Sequence, residues 1–285
     1  MKVLKGYVTI FLLTIFFLTS CLASLKEYEP MIKDERWQLV WSDEFDGPKI
    51  DESKWRFDIG NNNGWGNAEW QYYTEGKNAW IEKGLLVIEA RNEIFKEGNK
   101  TFNYTSTRMK TEGKFTVQYG KIEARIKFPH GKGLWPAFWM LGSNFRYVGW
   151  PTCGEIDIVE FLGHDKWTVH GTIHGPGYYG SNGIGNKIRL EPPTPDFTSD
   201  FHIFGVIWDE EKIVWYVDNR VYHVVTRSAI ESRGKAWVFD NDFFIILNLA
   251  VGGHWPGYPT AETKFPARMY VDYVRVYQME SIEDE

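Results

Sequence analysis

Within Gly154-Glu155-Ile156-Asp157-Ile158-Val159-Glu160, three carboxylates stand among aliphatic residues that favour a strand. Strand side chains alternate between faces, so Glu155 and Asp157 share one and Glu160 falls out of step. A β-bulge in which Ile158 and Val159 together oppose one residue of the neighbouring strand restores the count and puts all three acids on one face. Five straight strand steps span about 16 Å, and absorbing one leaves about 13 Å. Two Glu side chains, each reaching roughly 4 Å and leaning together, would bring their carboxyls within about 5 Å. At about 5–5.5 Å, one carboxylate can attack the anomeric carbon of a glycoside while the other protonates the leaving oxygen, with net retention. An inverting pair needs a wider gap to hold water.

The middle acid has its own task. Three carboxylates on one face cannot all ionise cheaply. Asp157 can share a proton or hydrogen bond with Glu155, and Glu160 is expected to have a raised pKa and act as the acid. The competing readings are a solvated acidic strand and a calcium site. Ile156, Ile158 and Val159 look buried, which argues against the first, and calcium prefers oxygen-rich loops to a strand face.

The elements that must position these acids are strands. In the run 121–128, Lys121, Glu123, Arg125 and Lys127 alternate with Ile122, Ala124, Ile126 and Phe128; in 212–218, Ile213, Trp215 and Val217 share a face. The runs 85–90, 201–208, 220–226, 243–251 and 268–277 are further strands, rich in β-branched and aromatic residues and punctuated by Gly, Asn, Asp and Pro. The only helix expected is a short one near Arg227 to Glu231. With no linker after Trp37, this spacing predicts a large two-sheet sandwich. A length of 285 residues with 43% hydrophobic content suits a sizeable core. The net charge of −6 gives no basic surface for nucleic acid. Fourteen Trp, beside 15 Tyr and 19 Phe, exceed what a core readily absorbs, because each indole N–H wants a partner. Some should line a groove, where flat apolar faces suit sugar rings.

Residues 1–21 read as a signal peptide. Lys2 and Lys5 precede an apolar run, Val8 to Leu18, that is too short to span a bilayer. It ends in Leu18-Thr19-Ser20-Cys21, which resembles the bacterial lipobox, with Cys21 as the lipidated first residue of the mature chain. This predicts an exported lipoprotein at the cell envelope or surface, or otherwise a secreted protein, touching membrane only through that lipid. Residues 22–36 are polar and read as a tether. With Cys21 lipidated no structural disulfide is expected, and Cys153 reads as a buried, inert thiol.

The acid run resembles the signature of glycoside hydrolase family 16, particularly bacterial laminarinases, the endo-1,3-β-glucanases. The resemblance runs from Trp37 to Gln278, through "LVWSDEFDG", "GWGNAEWQYYT", "GLWPAFWMLG", "HGTIHGPGY", "LNLAVGGHWPG" and "MYVDYVRVY" in that order. It implies an all-β jelly-roll sandwich of two curved antiparallel sheets, concanavalin-like, with a concave substrate cleft in a catalytic domain over 37–280. It implies a retaining double displacement with Glu155 as nucleophile, Asp157 as assistant and Glu160 as acid/base. Two residues between Asp157 and Glu160 look like laminarinases, agarases and carrageenases rather than lichenases. By the same resemblance Trp135, Trp139, His174, Arg108, Asn248, Trp255 and Trp65 would bind substrate, with Trp135 favoured as the sugar platform. His174 would reach a substrate hydroxyl or Asp157, and Arg108 the donor-side hydroxyls. Glu44, Gly84 and Asp272 match a structural calcium site that would join the chain ends; catalysis would need no cofactor.

The expected activity is therefore endo-hydrolysis of β-1,3-glucan by a monomer. The alternatives are a hydrolase of mixed-linkage β-glucan or a marine galactan, and a non-catalytic β-glucan-binding protein. The acidic balance leans towards a neutral glucan, and the intact acid triad against binding alone.

Overall fold

The computed structural model describes residues 25–280; the signal peptide and Cys21 lie outside the described residues. Seventeen strands, β1–β17 in chain order, form two sheets. One runs β12 (Ile184–Arg189), β11 (Thr168–His174), β10 (Glu155–Phe161), β9 (Leu134–Gly142), β16 (Phe243–Val251), β7 (Arg108–Lys110), β2 (Arg56–Asp58). It carries the acids and is called here the front sheet. The back sheet runs β15 (Arg220–Thr226), β14 (Lys212–Val217), β13 (His202–Trp208), β8 (Gly120–Lys127), β17 (Ala267–Met279), β5 (Leu85–Glu97), β6 (Lys100–Ser106), β3 (Gln71–Tyr73). There β1 (Trp37–Asp43) pairs with β17 and β4 (Ala79–Glu82) with β5. All pairings are antiparallel except the short β3–β6 contact. This is the jelly-roll sandwich expected, and the predicted strand runs all form.

Period-two patterning accounts for the layers. Ile122, Ala124, Ile126 and Phe128 face the shared core with Ile213, Trp215 and Val217 from β14 and Ile156, Ile158 and Phe161 from β10. Burying side chains of this size contributes about 1.5–3 kcal/mol each. The short helix also forms, as Arg227–Glu231, with the Thr226 hydroxyl accepting from the Ala229 N–H at its N-terminus.

The segment read as a tether is different. Leu25, Tyr28, Met31 and Ile32 pack on the outer face of the back sheet against Ile207, Val214, Tyr216 and Val221. Ile32 is buried in a short helix, α1 (Glu29–Ile32). The Trp37 indole N–H donates to Met31 O, and Lys121 Nζ to Ile32 O. Residues 25–36 thus cover a sheet face instead of hanging free. Composition hid this, because a few apolar residues in a polar stretch are enough when they meet an apolar patch. The cover also explains why Lys121 and Glu123, on the polar side of β8, are buried, with Glu123 accepting from the Tyr216 hydroxyl at 2.6 Å.

Candidate active site

The bulge is present where the spacing requires it. Asp157 pairs with Thr172 and Glu160 with His170, so Ile158 and Val159 oppose Gly171 alone on β11; on the β9 side Val159 meets Phe138 directly after Asp157 meets Trp139. Ile156, Ile158, Val159 and Phe161 are buried in the core. Glu155 and Glu160 are half-buried and Asp157 is buried. The strand follows Gly154, whose φ of +79° and whose missing Cβ, which would lie 2.9 Å from the Phe243 ring, leave room only for glycine. A second support crosses the core: the Trp215 indole N–H on β14 donates to the Asp157 carbonyl at 2.9 Å. A Cβ on Gly171 would come within 2.4 Å of that indole, so the residue opposite the bulge must be small for Trp215 to pass.

Each acid has distinct partners. The Trp150 indole N–H donates to Glu155 Oε2 at 2.7 Å, and the Trp135 indole N–H to Glu160 Oε1 at 3.1 Å. His174 Nε2 lies 3.1 Å from Asp157 Oδ2 and 3.8 Å from Glu155 Oε1. Burial and then the Asp157 charge push Glu155 up, while His174 and the Trp150 N–H pull it down. Glu160 is also pushed well above the usual carboxylate range, by burial first and by the charges of Asp157 and Glu155, against the pull of His174 and Trp135. Burial opposes protonation of His174, but the hydrogen bond to Asp157 and the three acid charges override it and hold the ring up to about 9. Burial and the negative charge shared among the three acids thus raise both glutamates, so the site favours holding a proton. Glu155, Asp157 and His174 present ligand atoms all within 4.8 Å of one another, with His174 Nε2 nearest to Asp157.

Around the acids the anticipated residues fall into two groups. Beside Glu160, Trp135 meets Trp255 edge-on at 5.7 Å, and Trp255 meets His170 at 4.8 Å with 43% of its surface exposed. Towards Glu155, Trp139 is bound below: its N–H donates to Asn248 Oδ1 at 2.7 Å, and the Asn248 amide donates to the Tyr73 hydroxyl. Asn248 is buried, so it holds Trp139 from beneath instead of facing a ligand. Arg108 is clamped between the Trp65 and Trp139 rings, 4.7 Å from each centroid, and its Nε is 3.0 Å from Asp58 Oδ2. Its planar charge spaces two aromatic walls. Sequence reasoning passed over Trp150, Tyr179 and His170, and read Trp215 only as a strand residue. Trp150 and Tyr179 are both 47% exposed and meet edge-on at 5.3 Å; an indole five residues before Glu155 was the available signal. Cys153 is fully buried, and burial and then Glu155 push its thiol up to about 11, which suits an inert role.

The calcium set is not assembled as a cation cage. Both Glu44 carboxylate oxygens accept from Arg275, at 3.0 and 2.8 Å, and Asp272 pairs with Arg125 at 2.7 Å. Gly84 lies near Asp46 instead. Each expected carboxylate ligand is already neutralised by a guanidinium, so these side chains as they stand do not fit a calcium ion. The spacing of Glu44 and Asp272 could not reveal arginines that arrive from other strands.

Residues 61–275 match the family model "Glycosyl hydrolases family 16". The chain is 41% identical to a beta-glucanase of Rhodothermus marinus, over 95% of this chain and 94% of that protein. Its fold matches an endo-beta-1,3-glucanase from Pyrococcus furiosus with a TM-score of 0.84 at 58% identity, covering 86% of this chain and 95% of that one. It matches the laminarinase catalytic domain from Thermotoga maritima with a TM-score of 0.84 at 57% identity, covering 86% and 99%.

Proposed function

The chain belongs to glycosyl hydrolases family 16, and from that membership we infer that it is a retaining endo-1,3-β-glucanase of the laminarinase type. It cleaves β-1,3-glucan within the chain by double displacement and uses no cofactor for the chemistry. The reading of individual roles rests on one observation: the bulge sets Glu155, Asp157 and Glu160 on one face, with a different indole holding each outer acid.

In this reading a Glu155 oxygen attacks the anomeric carbon as the bond to the leaving sugar breaks, and the Glu160 proton passes to the leaving oxygen. The product is a glycosyl ester on Glu155. Glu160, now a carboxylate, takes a proton from water; the water oxygen attacks the same carbon and the Glu155 carboxylate departs. Two inversions give retention. Asp157 and His174 form a pair whose charge steadies Glu155 as it loses and regains its negative charge. Trp135 and Trp255 supply apolar faces for sugar beside Glu160, and Trp139, backed by Arg108 and Asn248, does so towards Glu155. Calcium does not enter the proposal, because Glu44 and Asp272 are committed to arginines. The signal peptide and a lipid on Cys21 do enter it, on the motif alone, and place the enzyme at the cell envelope.

The test is digestion of purified laminarin, mixed-linkage glucan, agarose and carrageenan, with linkage analysis of products and proton NMR in the first minutes. Laminarin should be cut fastest, giving oligosaccharides whose new reducing ends are β. An α anomer appearing first would overturn the mechanism. Faster cutting of a galactan would overturn the substrate, and binding without cleavage would leave a glucan-binding protein.

A further inference from the structure

We propose that Trp150 is a positioning residue for the nucleophile, gripping one oxygen of Glu155 so that the other faces the substrate, and that sugar lying on its exposed ring tightens that grip. The inference rests on the reading of Glu155 as nucleophile.

The geometry carries it. Trp150 stands in the loop between α2 (Phe145–Val148) and β10, and its indole N–H reaches Glu155 Oε2 at 2.7 Å. The other oxygen, Oε1, is 3.8 Å from His174 Nε2, beyond hydrogen-bond range. A carboxylate whose one oxygen is held by the indole, with its other side towards Asp157 and His174, has its rotation limited and its direction of attack narrowed. A freely turning carboxylate would spend much of its time misaligned, and small misplacements near a reacting centre are costly. The ring is also available to a ligand. It is 47% exposed, meets the His174 ring at 6.1 Å between centroids, and has Tyr179 edge-on at 5.3 Å. An indole whose N–H already serves a carboxylate, yet whose face stays open to solvent, has the form of a sugar platform. When a glucosyl unit covers that face it excludes water from the N–H···O bond, which strengthens in the drier surroundings. Occupancy of the ring and orientation of the nucleophile are thereby linked.

The bond also has a charge consequence. The groups facing Glu155 are Asp157 on its own strand, His174 on β11, Glu160 beyond the bulge, and Cys153 and Trp150 in the preceding loop. Trp150 donates to the anion and so favours the ionised form that attacks. Removing the donor raises the Glu155 pKa, and activity that needs ionised Glu155 is then lost at a higher pH as the solution is acidified.

Two variants separate the N–H from the ring, assayed on laminarin and on an aryl β-laminaribioside. Trp150→Phe keeps an aromatic face without a donor. It should lower kcat about ten- to a hundred-fold, the loss expected for a hydrogen bond to a charged group. KM should stay within about two-fold, and the acid limb of kcat/KM should move up by about one pH unit. Trp150→Gln keeps an N–H without a ring; it should leave the acid limb near its wild-type position and raise KM for laminarin several-fold. Glu155→Gln, run alongside, should be inactive. An active, folded Glu155→Gln would overturn the nucleophile itself. With Glu155→Gln inactive, wild-type kcat and an unmoved acid limb in Trp150→Phe, with only a lower melting temperature, would show a packing residue and overturn this inference alone. If Trp150→Phe does not fold, Trp150→Gln decides: a raised acid limb in a variant that keeps its donor would overturn the inference.

Discussion

At the residue scale, the site works by making two glutamates unlike. Both are half-buried on one strand, and what distinguishes them is company. Glu155 has His174 Nε2 at 3.8 Å and the Trp150 donor, while Glu160 has the Trp135 donor and the pull of His174 against the negative field of the other two acids. A protonated Glu160 beside an ionised Glu155 is the charge state that a retaining first step requires. Azide rescue tests the division of labour. In Glu160→Ala, hydrolysis of laminarin should fall by about a hundred-fold or more. An aryl laminaribioside with a good leaving group should still form the glycosyl-enzyme and then stall, because water has lost its base. Azide, which needs no base, should restore turnover and yield a β-glycosyl azide. In Glu155→Ala the azide would enter from the opposite face and give the α product. An α azide from Glu160→Ala, identified by NMR, would mean that the roles are exchanged.

At the element scale, the decisive feature is the irregularity of β10. An unbroken strand would turn Glu160 into the core and leave the site with one glutamate. The bulge re-aims it, and Trp215 from the opposite sheet holds the Asp157 carbonyl at the start of the bulge. Trp215→Phe would remove that donor and open space in a closely packed core. We expect a loss of about 2–4 kcal/mol in urea unfolding. Folded Trp215→Phe should also lose kcat by ten-fold or more with KM little changed. Full kcat in the folded variant would show that the strand keeps its bulge unaided. Gly171 belongs to the same device, since any side chain there would meet the indole.

At the scale of the whole molecule, the docked segment 25–36 lies on the outer face of the back sheet, while the acids point from the outer face of the front sheet. The described chain therefore begins on the side away from the site. Among the described residues no helix is long and apolar enough to cross a membrane, so membrane attachment would depend on the lipid proposed at Cys21. Cys21→Ser should abolish incorporation of labelled palmitate in a bacterial host and release the enzyme from the membrane fraction. Its kcat on soluble laminarin should be unchanged, because the segment that would carry the lipid docks on the back sheet, away from the acids. Unchanged labelling would remove the lipid from the proposal.

What the sequence determined by itself was local. The alternation of acids and aliphatics, and the one step by which it slips, required a bulge and put Glu155, Asp157 and Glu160 on one face; the strand runs followed from the same period of two. Such patterns depend only on neighbours along the chain. The tertiary structure decided who holds what. Trp215 reaches Asp157 from 58 residues away, Trp139 reaches Asn248 from 109, and Arg275 takes Glu44 from 231. The last pairing uses a carboxylate that the family resemblance had suggested for calcium. Arg108, which the resemblance aims at donor-side hydroxyls, is packed between two rings; Asn248, which it places in the cleft, is buried and bonded to one of them. Hydrogen bonds and ion pairs act through a few ångströms of space, and which residues share those ångströms is settled when the sheets stack.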